Sequence, residues 1–203
     1  AGERAARKHF SGYPGTVASI MVVPNAGRDI GPFLTGFGPD LTRDYDFVGH
    51  VHTKKSTHLK NADVTADWVT FAYSGVLGGK RAGPMMDRIL EAMAQDDRIG
   101  IAYPDDPNIM GWTENLQPAE SLAQSMAVGE LPKVFNFPIG TMFWMRSAAL
   151  QPFVDLDLTW ADYPAEPAPN DGTMLHALER LFGIVPQLQG WQTVVTNIPN
   201  TTR

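Results

Sequence analysis

Hydrophobic positions along this chain repeat with two different periods. Residues 16–25, "TVASIMVVPN", are a continuous apolar, β-branched run, the pattern of a strand covered on both faces. "YDFVGHVH" (45–52) predicts a second buried strand and "IGIAYP" (99–104) a third. "KVFNFPIGTMFWMR" (133–146) contains a fourth, and "QTVVTNIP" (192–199) is a last strand-like segment. Between them the apolar spacing becomes helical, in "DWVTFAYSGVL" (67–77) and "MMDRILEAMAQ" (85–95), parted by the turn-rich "GGKRAGP". Residues 1–10 read as the end of a helix closed by "SGYPG", and Pro32 opens a short helix at "PFLTGF". "PNDGTMLHALERLFGI" (169–184) reads as a helix entered through an Asn-Asp-Gly turn and capped near Gly183. Strands alternating with helices predict an α/β fold with a mostly parallel sheet flanked by helices. No repeat or linker divides the chain, so residues 1–203 read as a single domain.

Composition narrows the function classes. A formal charge of −6 offers no basic face for nucleic acid or an anionic membrane. The apolar runs fall short of the ~20 residues of a membrane-spanning helix. The start "AGERAARKHF" lacks the apolar segment of a secretory signal, and the absence of an initiator Met suggests a piece of something longer. Without cysteine there are no disulfides and no thiolate zinc sites, and a reducing compartment is expected.

Ionisable side chains crowd the end of the second strand. Alternation sets Val48, His50, His52 and Lys54 on one face and Phe47, Gly49, Val51, Thr53 and Lys55 on the other. Ligands of α/β sheets bind beyond the carboxyl ends of strands, which places His52, Lys54 and Lys55 to meet an anion. Buried, hydrogen-bonded histidines with solvated lysines are the bland alternative, and His50 and His52 as half of a metal site a further one. "VPNAGRDIGPF" follows a strand and opens a helix. Gly27 and Gly31 permit close backbone approach, Arg28 suits a phosphate, and Asp29 suits a sugar hydroxyl. It is not G-x-G-x-x-G, and "GGKR" (78–81) is not a P-loop, because Arg81 stands where Ser or Thr must ligate magnesium. Phe143 and Trp144 are core residues or the wall of a pocket. Helical spacing puts Thr173, His176 and Arg180 on one face. Asp171 at that helix's start is a plain N-cap or, in the functional reading, a general base.

Four blocks together resemble the rhamnan synthesis F proteins of bacterial surface polysaccharide assembly: "PNAGRDIGPFL" (24–34), "HTKKS" (52–56), "FPIGTMFWMRSAAL" (137–150) and "DGTMLHALER" (171–180). That family looks like a divergent branch of the GT-A glycosyltransferases. The resemblance implies a GT-A-like fold lacking its first βαβ portion. It also implies transfer of a sugar, expected to be rhamnose from dTDP-rhamnose, to a glycan or lipid-linked glycan acceptor. Asn25 and Asp29 would hold donor hydroxyls. Gly27, Arg28, His52, Lys54 and Lys55 would line the diphosphate. Gly140 and Thr141 would admit the sugar, with Trp144, His176 and Arg180 around it. Asp171 would act as base, with Glu166 second. His52-Thr53-Lys54 stands where the usual enzymes carry Asp-x-Asp. The expectation is therefore metal-independent binding with no cofactor, a divalent cation being left open. The implied location is the bacterial cytoplasm, peripheral at the inner membrane through other parts of a longer protein. The rival expectation is a non-catalytic glycan-binding or scaffolding domain, with a metal hydrolase using His50 and His52 behind it.

Overall fold

A computed structural model describes residues 2–53, 62–106 and 111–198. Lys54 and Lys55, two of the expected diphosphate ligands, lie outside the described residues. The chain opens with helix α1 (Gly2–Phe10), and a wide π-helical turn at Pro32–Phe37 continues into α2 (Gly38–Asp44). Strand β1 (Phe47–His50) is followed by α3 (Ala62–Val76), α4 (Met85–Gln95) and β2 (Ile99–Pro104). A short 3-10 turn at Thr113–Asn115 leads into α5 (Leu116–Ser125). Then come β3 (Phe143–Arg146), α6 (Ser147–Val154), α7 (Met174–Leu188) and β4 (Gln192–Thr196).

Helices cover both faces of a four-stranded sheet of order β1-β3-β2-β4. On one face Val48, Ile101, Phe143 and Met145 pack against Leu150 and Phe153 of α6 and Leu178 and Phe182 of α7. Each such buried side chain contributes roughly 1.5–3 kcal/mol. On the other, Ile99 and Ala102 meet Ile89 and Met93 of α4, with Trp144 packed alongside.

The sheet is mixed, which corrects the expectation of a mostly parallel one. β3 runs antiparallel to both β1 and β2, and only β2 and β4 are parallel. Alternating strands and helices imply parallel strands only when each helix crosses over the sheet. Here β3 begins at the end of the sheet where β2 finishes, because Ala102 pairs with Trp144 in opposite directions. The intervening α5 packs on α7 instead of carrying the chain back.

Three local expectations also change. Residues 16–25 form no strand, and Val17, Met21 and Val22 are 42, 45 and 72% exposed. Apolar, β-branched residues favour a strand only where a neighbouring edge takes up their N–H and C=O groups, and no described strand lies beside this run. Gly183 does not cap α7, which continues to Leu188. A Cβ at Gly183 would stand 2.6 Å from the Asn136 carbonyl oxygen, so the glycine serves close packing. Helix α5 was not expected at all.

Candidate functional site

Strand register builds the first half of the site. His50 pairs with Phe143 and Val48 with Met145, so continuing the two chains beyond the sheet brings His52 opposite Thr141. His52 Nε2 lies 2.8 Å from the Gly140 carbonyl and 3.2 Å from the Thr141 hydroxyl. A carbonyl only accepts, so this nitrogen carries a proton. The Tyr73 hydroxyl of α3 donates to the His52 carbonyl at 2.9 Å and fixes the backbone. The Thr141 hydroxyl donates to Asp29, whose carboxylate is 3.6 Å from His52 Nε2.

The turn carrying Gly140 and Thr141 is unusual. Their φ angles are +77° and +57°, so two successive residues are left-handed. A Cβ on Gly140 would stand 2.1 Å from the Trp68 ring, which leaves glycine as the residue that fits. The Gly140 N–H donates to Glu179 of α7 at 2.5 Å.

His50 is only 7% exposed and stacks 4.4 Å from Phe33. Its Nδ1 donates to the Thr141 carbonyl at 2.5 Å. Burial pushes its pKa down against the opposing Asp29 charge, so it is neutral near pH 7. His50 and His52 each direct a ring nitrogen at a backbone carbonyl, that of Thr141 and that of Gly140. Among the described residues, no three His, Cys, Asp or Glu side chains are grouped to hold a metal ion.

Segment 27–29 connects this half to a second. Gly27 and Arg28 are both left-handed, with φ +72° and +51°, so Arg28 and Asp29 point to different neighbours. Arg28 donates to the carbonyls of Ala168 and Pro169 at 3.2 and 2.9 Å, and to His176 Nε2 at 3.2 Å. Three of its five N–H donors are thereby used. His176 Nδ1 donates to Thr173 at 2.8 Å. Burial, then the Arg28 charge, lower the His176 pKa.

Asp171 precedes α7 and is gripped by its surroundings. Asn115 donates to it at 2.5 Å. Burial works to raise its pKa, but hydrogen bonds from Asn115, Thr113 and the Gly172 N–H, with the Arg180 charge, outweigh it and hold the carboxyl at about 2. Arg180 is 2% exposed and donates to the Gly111 carbonyl (2.8 Å), the His176 carbonyl (2.9 Å) and Thr113 (3.2 Å). It is a buried strut of the loop ahead of α5.

Thus Arg28, Asp29, His52, Gly140, Thr141 and His176 form one connected set. Asn25 is exposed on the same loop. Glu166 is exposed and accepts the Ala168 N–H at 3.0 Å. Trp144 lies on the sheet face opposite His50 and Phe143, its ring against Gly49 and its N–H on the Val76 carbonyl at 2.9 Å. Pattern reading missed Trp68, Asn115 and Glu179. Glu179 follows His176 by three, the spacing that puts it beside that histidine on α7.

Residues 2–191 match the family described as rhamnan synthesis protein F. The chain belongs to that family. Two relatives, each named uncharacterized protein WxcX and from two strains of Xanthomonas campestris pv. campestris, are 31% identical over 191 residues. The match covers 92% of this chain and 26% of either relative, so the chain spans about a quarter of their length. No solved structure matches. The family ties the chain to polysaccharide synthesis. Among the described residues no helix is long and apolar enough to cross a membrane.

Proposed function

We propose that this chain is the donor-handling part of a GT-A-like glycosyltransferase that moves a sugar, rhamnose from dTDP-rhamnose, onto a glycan acceptor in bacterial surface polysaccharide synthesis. The observation that carries the reading is the joined set Arg28–Asp29–Thr141–His52 at the carboxyl end of β1. Asp29 supplies an acceptor carboxylate on Thr141, and Arg28, its neighbour in sequence, a guanidinium with two donors to spare, which together suit a sugar diphosphate. Lys54 and Lys55, two and three residues beyond His52 in sequence, add the positive charge a departing diphosphate needs. The acceptor hydroxyl attacks the anomeric carbon, the bond from that carbon to the diphosphate oxygen breaks, and the hydroxyl proton passes to a carboxylate. Asp171 is the carboxylate suggested by resemblance, with Glu166 second.

One observation favours the rival, a glycan-binding domain without catalysis. A carboxyl group held at about 2 by several donors is a weak proton acceptor at neutral pH, which suits an anchor better than a base. Titrating dTDP into the 15N-labelled chain tests the shared part of both readings. Shifts should concentrate at Arg28, Asp29, His52 and Thr141. Shifts centred elsewhere would dismiss the site, and transfer of labelled sugar by the whole protein would then decide between enzyme and binding domain.

A further inference from the structure

Every polar backbone atom of the Gly140–Thr141 pair is engaged. The Thr141 N–H donates to the Pro138 carbonyl at 2.8 Å, and the Thr141 carbonyl takes the His50 proton. The Gly140 carbonyl takes the His52 proton, leaving the Gly140 N–H, which points away from the sheet toward α7. Glu179 meets it at 2.5 Å with a carboxylate oxygen, a charge-assisted bond of the stronger kind. Two successive left-handed residues are a conformation that persists only where surrounding groups over-determine it. Glu179 reaches that turn from α7, the helix that also carries His176 against Arg28. Its side chain is 19% exposed and its other oxygen lies 3.9 Å from Arg180.

We propose that Glu179 is a positioning residue for the ligand site: it clamps the Gly140 N–H so that the Gly140 carbonyl and Thr141 hydroxyl hold His52 and Asp29 in their ligand-facing geometry. The proposal rests on the sugar-nucleotide reading for the identity of the ligand, but the clamp itself does not. Glu179 need touch no ligand. Its effect runs through one hydrogen bond into a turn, and from the turn into two side chains that the donor meets. The acceptor oxygen is what matters, so an amide oxygen at the same reach serves nearly as well, whereas a shorter carboxylate does not. This also explains why α7 is coupled to both halves of the site, through His176 at Arg28 and through Glu179 at Gly140.

The test compares Glu179→Gln, Glu179→Ala and Glu179→Asp with the parent, reading the His52 ring resonances, the Gly140 amide and the affinity for dTDP as probe. In Glu179→Ala and Glu179→Asp the Gly140 amide and His52 ring should move, and dTDP should bind about 10-fold more weakly, the worth of one charge-assisted bond. Glu179→Gln should keep His52 in place and bind within about 3-fold of the parent. If Glu179→Ala fails to fold, Glu179→Asp keeps the comparison, since it retains the charge and withdraws only the reach. A lower melting temperature with unchanged His52 signals and dTDP affinity would make Glu179 a plain structural contact and overturn the proposal. If the parent itself does not bind dTDP, the sugar-nucleotide reading fails, and the His52 shift in Glu179→Asp against Glu179→Gln still decides whether the clamp exists.

Discussion

Replacing Asp171 with Asn separates an anchor from a base, because the two roles leave opposite traces. As an anchor, the carboxylate accepts hydrogen bonds from Asn115, Thr113 and the Gly172 N–H. An amide oxygen retains part of this, but the charge facing Arg180 is lost and an NH2 group now confronts donors. The fall of the carboxyl pKa from its ordinary 3.8 to about 2 corresponds to at most about 2.5 kcal/mol of stability at neutral pH. Screening of a partly exposed group lowers this to about 1–2 kcal/mol. For a chain of 203 residues that is a melting temperature lower by about 2–8 °C. The carboxyl pKa is depressed, so this stability is present above the unfolded value near 4 and is lost as pH falls through about 2. Circular dichroism melts of Asp171→Asn and parent should therefore differ at pH 7 and converge as pH drops from about 4 toward 2. As a base, by contrast, Asp171→Asn would keep its melting temperature while sugar transfer by the whole protein fell by roughly 100-fold or more. Equal melts at pH 7 would refute the anchor argument.

Three further outcomes are expected. Gly140→Ala places a Cβ 2.1 Å from the Trp68 ring at a φ of +77°, so it should cost about 2 kcal/mol or more and lower the melting temperature by several degrees, with dTDP shifts at His52 lost. Both His50 and His176 have lowered pKa values in the folded chain, so the unfolded chain binds more protons below about pH 6.5. Urea midpoints should accordingly fall as pH drops below about 6.5, and a His50→Gln, His176→Gln double variant should flatten that slope; an unchanged slope would show that neither histidine is buried as described. On the proposed reading, calorimetry of dTDP binding should give the same affinity with and without chelator, since His52-Thr53-Lys54 stands where the usual GT-A enzymes carry Asp-x-Asp; loss of binding on chelation would refute metal-independent binding.

How far the sequence foretold this site depends on the range over which each contact acts. Helices α3 and α4 and strands β1 to β4 follow from periods of 3.6 and 2 written within a dozen residues, so they were legible. The pairing of β3 with its neighbours was not, because direction is set by whether α5 crosses the sheet, and α5 packs instead on α7, a segment some sixty residues away. The same distinction runs through the candidate residues. Arg28, Asp29 and His52 stood out because each sits just past an apolar run, whereas Thr141, just ahead of a strand, entered only through the family resemblance. Trp144 also stood out, as core or the wall of a sugar pocket, but the strand turns it to the face opposite Phe143, against Gly49 and away from His50. Helical spacing sets Arg180 on one face with His176 but says little about depth, and the guanidinium is buried and engaged by Gly111, His176 and Thr113. Glu179 was invisible for the converse reason. Its partner is a backbone N–H thirty-nine positions away in a turn whose left-handed geometry only the assembled fold imposes. The candidate residues were thus announced locally, while those that hold them were specified by packing, so a search for further members of this site begins with the neighbours of Gly140 and Asp29 rather than with motifs.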